Sequence, residues 1–498
     1  MDGKIRLSKS KYCKGVQCPK ILWMDLHRPE LAEDAGSEQL FETGAMVGEL
    51  ARGYFGDYAQ VEYDPDHSSM VEKTRSLMEE GREAIAEASF SYDGLFCSVD
   101  IFRRNGSGYD IVEVKSSSYV KPIYVDDMAF QYYVLTKCGV DVKRVYCMHI
   151  DISYVRHGEL DPKGLFMLED CTDAVKEKYA EIGPRVQDIR KWAGAEYEPE
   201  RDIGLYCELP YVCAYYGYCR RHLPSPSVFD VHGLYRRKKF EYYRNGIVSY
   251  GDLLERGHLV NARHLRQVET TYYKKEPTID RTAIRQFLSQ LTYPVYHLDF
   301  ETFQQAVPQY DGMSPYAQIP FQYSLHIEQE NGTLEYREFL AKEGCDPRRA
   351  LAESLCRDIP EDNCVLAYNM SFERSVIKAL AGAFPDLAAH LMNIRDSIRD
   401  LMVPFKQQYY YCEAMQGSYS LKYVLPALFP DDPSLDYQSL EGVHHGGEAS
   451  ATFADMSNHT PEEIAVMRKN LLAYCRLDTY AMVKILGKLR EDTSECHS

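Results

Sequence analysis

The segment PVYHLDFETF, residues 294–303, restricts the fold more than any other stretch, because an apolar run of strand character ends there in Asp299 and Glu301. Side chains alternate faces along a strand, so these two carboxylates, two residues apart, converge. Like charges side by side at the end of a buried strand repel and lose hydration, a cost that divalent cations remove. The rest of the chain must therefore bring cations, or the groups that hold them, to one end of this strand. The plain alternative is a solitary D-x-E decorating a surface, as short motifs often do.

Two further segments supply acids. AYNMSFERSVIKAL opens a helix after a strand and puts Glu373 near its start, behind Asn369 and Phe372. LLAYCRLDTYAMVKIL is helical and sets Tyr474 and Asp478 at i, i+4, on one face. The set Asp299, Glu301, Glu373, Asp478 and Tyr474 resembles the DEDD exonucleases, the DnaQ-like branch of the RNase H-like fold, in the subclass whose last motif is YxxxD. That resemblance implies four carboxylates holding two divalent ions, Mg2+ or Mn2+, and a tyrosine that helps orient the attacking water. It also implies 3′-to-5′ trimming of single-stranded ends. Two such cations activate water and stabilise the departing oxygen of an in-line phosphodiester cleavage. The family has Asp where this chain has Glu373, which leaves Asp396 and Asp400 in NIRDSIRDL as competing ligands, with a solvated helix face as their other account. GVHHGGEASATFAD resembles the histidine subclass, but neither His444 nor His445 has an Asp five positions on, so Tyr474 is preferred.

Nearer the N-terminus, helices are expected over FETGAMVGELARGYFG and MVEKTRSLMEEGREAIAEA, then strands around LFCSVDIFRR, YDIVEVKSSS and RVYCMHIDI. Asp100 lies on the first of these strands, and Glu113 and Lys115 share a face of the second. This D…ExK grouping resembles the PD-(D/E)xK nuclease core, in which the acids bind a metal and the lysine positions water or offsets developing charge. Ion pairing on a hairpin is its bland reading. RecB-like nucleases add an upstream helix carrying a further ligand and a downstream helix beginning with Gln, which match Glu49 and Gln131. Glu49 stands where His is usual, and Leu135 occupies the expected Tyr position, with tyrosines at Tyr132 and Tyr133 instead.

Cys207, Cys213 and Cys219 form CxxxxxCxxxxxC, and Cys18 sits in QCPKILW. One early and three late cysteines resemble the iron-sulfur subgroup of RecB-like nucleases, which implies a [4Fe-4S] cluster stapling the ends of the nuclease fold. Four thiolates also suit Zn2+, although the spacing is wider than in common zinc ribbons. Cys13 is a rival to Cys18, and buried free thiols are the plain alternative. SPYAQIPFQYSLH and GSYSLKYVLPALFP resemble an uncharacterised bacterial family of unknown function that pairs a RecB-like front half with an exonuclease-like back half. That resemblance spans most of the chain and assigns no substrate.

The expected fold class is α/β, with an α+β front part. A RecB-like PD-(D/E)xK domain of the restriction-endonuclease-like class is placed at 1–225, a helical connector at 226–291, a DnaQ-like domain at 292–490 and a tail at 491–498. Over 498 residues the net charge of −18 speaks against a polyanionic partner, but phosphate contacts come from local basic patches and a metal site itself needs clustered acids. LYRRKKFEYYR is the best such patch. No apolar run approaches a membrane span, and the start MDGKIRLSKSKYCKG lacks the apolar segment of a secretory signal, so a cytoplasmic protein is expected. The function expected is a metal-dependent nuclease acting on DNA or RNA. Its rivals are a non-catalytic or half-active nucleic-acid-binding protein on decayed nuclease folds, and a redox-sensing iron-sulfur protein.

Overall fold

The computed structural model describes residues 5–33 and 38–494, with side chains from residue 44 onward in the second stretch. The protein is mixed α/β and divides into two units, Met1–His222 with Gln305–Tyr316, and Leu223–Gln304 with Ala317–Ser498. No helix among the described residues is long and apolar enough to cross a membrane.

The first unit is built on seven strands, β1 (Leu7–Ser8), β2 (Ala59–Gln60), β3 (Ala84–Tyr92), β4 (Leu95–Asn105), β5 (Gly108–Lys115), β6 (Val142–Ile150) and β7 (Phe166–Asp170). Their order is β2-β3-β4-β5-β6-β7, with β1 beside β4. Asp93 and Gly94, at φ 49° and 74°, close the β3–β4 hairpin in two residues, the backbone that a right-twisted antiparallel pair demands. β5 and β6 run parallel, so the chain crosses over through the helix Pro122–Lys137, whose Met128, Phe130 and Val134 pack into the core. One expectation fails here. The helix read through EAIAEA ends at Glu79, and Ala84–Tyr92 is a strand. Gly81, at φ 76°, breaks the helix, and burial of Ala84, Ile85, Ala86, Ala88 and Phe90 against the sheet overrides the helical preference of Ala and Glu.

The second unit holds a five-stranded sheet of β9 (Val295–Phe303), β10 (Ile319–Glu328), β11 (Leu334–Leu340), β12 (Cys364–Ala367) and β13 (Ile398–Asp400), in the order β11-β10-β9-β12-β13. The first three are antiparallel; β12 and β13 run parallel to β9. A two-stranded sheet pairs β8 (Thr278–Ile279) with β14 (Tyr410–Tyr411). One face of β9 and β10 sends Leu298, Phe300, Tyr323 and Leu325 into a core with the helices Arg348–Asp358, Met370–Ala383 and Ala388–Ser397. The other face is polar and meets the C-terminal helix, Pro461–Thr493. There Gln322 donates to the Leu471 carbonyl at 2.8 Å, and Ser324 and His326 both bond Thr479, at 2.6 and 2.8 Å. These bonds satisfy polar groups that burial would otherwise penalise, and they fix which turn of the helix lies over the sheet.

The helices between Arg236 and Leu288 belong to this second unit. In the basic, aromatic segment Phe240 and Tyr242 are buried and Lys239 donates to the Phe229 carbonyl, so part of that expected patch serves packing. The expected tail is also shorter than read: the C-terminal helix runs to Thr493, where Arg281 and Arg285 bond the carbonyls of Asp492 and Thr493. Residues 495–498 lie outside the described residues.

Candidate functional site

The polar face of β9 carries the first two acids. Ligand oxygens of Asp299 and Glu301 lie within 4.8 Å of each other and of the Cys475 sulfur, as the strand's alternation requires. Glu373 enters from the first turn of the helix Met370–Ala383, which starts at Asn369 in the left-handed region, φ 73°. Tyr474 and Asp478 come from the C-terminal helix, both buried. The charges of Asp478, Glu301 and Glu373 all act on Asp299, so the four acids read from three distant segments meet in one neighbourhood. Among the described residues none of the four has a salt bridge.

Electrostatics follow from that crowding. Burial, then Asp478, Glu301 and Glu373, push Asp299 well above the usual carboxylate range. Burial and the charges of Asp478 and Glu373 do the same to Glu301. Burial lifts Asp478 to about 7, opposed by a hydrogen bond from Tyr437 and by Lys422 at the rim. Glu373 is pushed up to about 8, chiefly by burial, and its Oε2 is buried without a hydrogen-bond partner. Carboxylates crowded and desolvated in this way resist ionisation, a cost that nearby positive charge would lower.

Sequence reading missed three neighbours of this site. Tyr437, in a short turn, donates to Asp478 Oδ1 at 2.6 Å, and its ring lies 5.8 Å from that of Tyr474. Cys475 is the residue after Tyr474, and nothing in its type marks it. Gly446 brings backbone so close to Glu301 that a Cβ there would lie 3.5 Å from Oε2. His444 and His445 both turn to Glu448, at 3.2 and 3.3 Å. The rival ligands behave differently from one another: Asp396 is exposed and paired with Arg395, whereas buried Asp400 accepts from the N–H groups of Asn369 and Met402, both at 3.0 Å. Asp400 thus shapes the turn that presents Glu373.

In the first unit Glu113, Lys115 and Gln131 come together, with two residues that the motif did not include. Glu113 Oε1 accepts from Lys115 at 2.6 Å and from Lys9 at 2.8 Å, and Oε2 accepts from Gln131 at 2.7 Å. Asp127, four residues before Gln131, accepts from Lys115 at 2.8 Å and from Gln131 at 3.2 Å. Burial alone would raise Glu113, but Lys115 and Lys9 outweigh it and hold the carboxyl below its ordinary range. Asp100 accepts from the Val114 N–H at 2.7 Å, and burial, then Glu113, lift it to about 7. Glu49 is exposed, while Val47 and Ala51 of its helix face the core, so the structure does not bring it into this group. Tyr132 and Tyr133 pack around Tyr179.

Lys9 and Lys115 already neutralise Glu113 and Asp127, which distinguishes this group from the acids of the second unit. Replacing Lys9 with Met leaves buried Glu113 with one ammonium fewer. The expected loss is about 1–3 kcal/mol of stability at neutral pH, a range set by the partial exposure of Lys9 and measurable by urea unfolding. An unchanged midpoint would show that Lys9 is not a partner of Glu113 in solution.

Cys18, Cys207, Cys213 and Cys219 line one small cavity of about 20 Å3, together with Met24, Tyr206 and Tyr215. Burial pushes Cys207 up to about 12 and Cys213 to about 11, with the other thiols of the cavity adding to the effect. Cys13 instead lies near Asp127, Lys115 and Lys9, away from this cavity. Four thiols that face one space, from two ends of the unit, are a donor set for a metal or cluster.

Comparison with curated proteins gives no match. Residues 296–420 match a domain of unknown function (DUF2779), a stretch that contains Asp299, Glu301 and Glu373 and stops before Tyr474 and Asp478. The match agrees with the resemblance of SPYAQIPFQYSLH to a family without a known function, and it covers neither the thiol cavity nor the first unit's acids.

Proposed function

We propose that the chain is a metal-dependent nuclease whose second unit hydrolyses phosphodiester bonds at 3′ ends of single-stranded DNA or RNA. The observation that carries this reading is the convergence of Asp299, Glu301, Glu373 and Asp478, the last three buried and Asp299 half-buried, without a cationic side chain in bonding contact among the described residues. Acids so placed have Mg2+ or Mn2+ as their natural partners, and a pair of such ions would supply water activation and leaving-group stabilisation. The strand order β11-β10-β9-β12-β13, with the first acids on the central strand, supports the DnaQ-like, RNase H-like comparison. Tyr474, beside Asp478, is suited to hold the attacking water; Tyr437 orients the Asp478 carboxylate.

The first unit is read as a RecB-like PD-(D/E)xK fold with a [4Fe-4S] cluster on Cys18, Cys207, Cys213 and Cys219. The CxxxxxCxxxxxC spacing, wider than the cysteine pairs of common zinc ribbons, is what favours the cluster over zinc. One observation favours a second reading for this unit: Glu113 and Asp127 already carry two lysine partners. On that reading the first unit grips nucleic acid and the second alone cleaves.

Digestion of end-labelled DNA and RNA in Mg2+ and in Mn2+ tests both readings. Binding without cleavage in either metal overturns the nuclease. Cleavage that survives Glu113→Ala assigns the chemistry to the second unit. The pH profile gives a finer check. Tyr437→Phe removes a hydrogen bond that favours the ionised Asp478, so its carboxyl rises further above about 7. The acid limb of Mn2+ binding, followed by electron paramagnetic resonance, should therefore move to higher pH.

A further inference from the structure

Cys475 is fully buried on the C-terminal helix, between Tyr474 and the turn that carries Asp478. Its sulfur lies 3.8 Å from Asp299 Oδ2, and with Asp299 and Glu301 it forms a group of three potential ligand atoms that all lie within 4.8 Å of one another. A four-coordinate ion with a sulfur bond of about 2.3 Å and oxygen bonds of about 2.1 Å sets its S···O separations at about 3.6 Å. The observed spacing suits such an ion. Buried Glu373 Oε2 lacks a hydrogen-bond partner, and the charge of Glu373 reaches both Asp299 and Glu301. An unpartnered buried carboxylate oxygen therefore lies in the neighbourhood of the group.

We infer that Cys475 is a soft ligand in this site, so that the carboxylates and the thiol together take thiophilic divalent ions such as Zn2+ and Cd2+, in competition with Mg2+ and Mn2+. The inference rests on the metal-site reading of the second unit and deepens it. Hard ions prefer oxygen and leave a neutral thiol aside, whereas Zn2+ and Cd2+ gain most from thiolate. When the sulfur–metal bond forms, the S–H bond breaks and its proton passes to solvent, with no change in oxidation state. An ion held this way is displaced slowly, so Zn2+ acts as an inhibitor of the Mg2+ or Mn2+ enzyme.

Cadmium NMR of the full-length protein tests this, because one thiolate among oxygens and a four-thiolate site resonate far apart. A one-thiolate resonance is expected in the wild type and should vanish in Cys475→Ser, while any signal from the four-cysteine cavity persists. Cd2+ affinity at this site should fall about 100-fold in Cys475→Ser, with Mn2+ affinity nearly unchanged. Cd2+ binding that ignores Cys475→Ser, alongside Mn2+ binding that is lost in Asp299→Asn, overturns the soft-ligand role and leaves the metal site standing. Absence of binding by either ion overturns both.

Discussion

Asp299→Asn is expected to abolish Mg2+- and Mn2+-dependent cleavage by the second unit, by a factor of about 1,000 or more, and at the same time to make the metal-free protein more stable above neutral pH. The two effects have one cause. Asp299 is the acid on which the charges of Asp478, Glu301 and Glu373 all act, so on the proposed reading its carboxylate helps hold the cations and bears the repulsion when they are gone. The sign of the pH dependence follows. Carboxyls whose native values are raised bind protons more readily in the folded chain than in the unfolded one, so stability falls as pH rises. The window opens near the ordinary carboxylate value of about 4. It extends to about 7 for Asp478 and about 8 for Glu373. Thermal melts in EDTA should show the midpoint dropping across that window, by an amount worth a few kcal/mol. Asn at 299 should flatten the drop, and Mn2+ added to the wild type should reverse it. A variant less stable than the wild type in EDTA at pH 8 would mean that something other than a missing cation already balances these charges.

Cys18→Ala should have the next largest consequence, loss of the proposed cluster together with the closure such a cluster would provide. Cys18 stands at one end of the first unit and Cys207, Cys213 and Cys219 at the other, yet all four line one cavity. A cross-link closing a loop of roughly 190 residues is worth about 5 kcal/mol through the unfolded chain's entropy alone. Anaerobically purified wild type should contain iron and sulfide in equal amounts, and the variant neither, with a lower thermal midpoint for the first unit. Stoichiometric zinc without sulfide would overturn the choice of cluster. A variant that kept both its iron and its midpoint would remove Cys18 from the ligand set.

Much of the second unit's site is legible because its acids sit where a local rule fixes their direction. Asp299 and Glu301 obey the two-residue period of a strand, and Tyr474 and Asp478 the four-residue spacing of a helix. Tyr437 escapes that reading, since it reaches Asp478 from a short turn 41 residues away. Lys9 is further still, 104 residues from Glu113. Asp127 is legible from spacing alone, since it stands one helical turn before Gln131 on the same helix. The strand Ala84–Tyr92 was hidden by Ala and Glu, whose helical preference is a weak prior against burial in a sheet. Glu49 shows the converse hazard, a motif position filled by the right kind of residue on the wrong side of its helix.

The bonds from Gln322, Ser324 and His326 to the C-terminal helix have a bearing on how this site can vary. Thr479, which receives two of them, is the immediate neighbour of Asp478, so the helix cannot advance by one turn without stranding three buried partners. Position along the helix is thereby indexed by side chains other than the four acids. Exchange at 324 or 326 is expected to be tolerated only alongside a matching exchange at 479, and random mutagenesis scored for folding should recover these positions as linked sets.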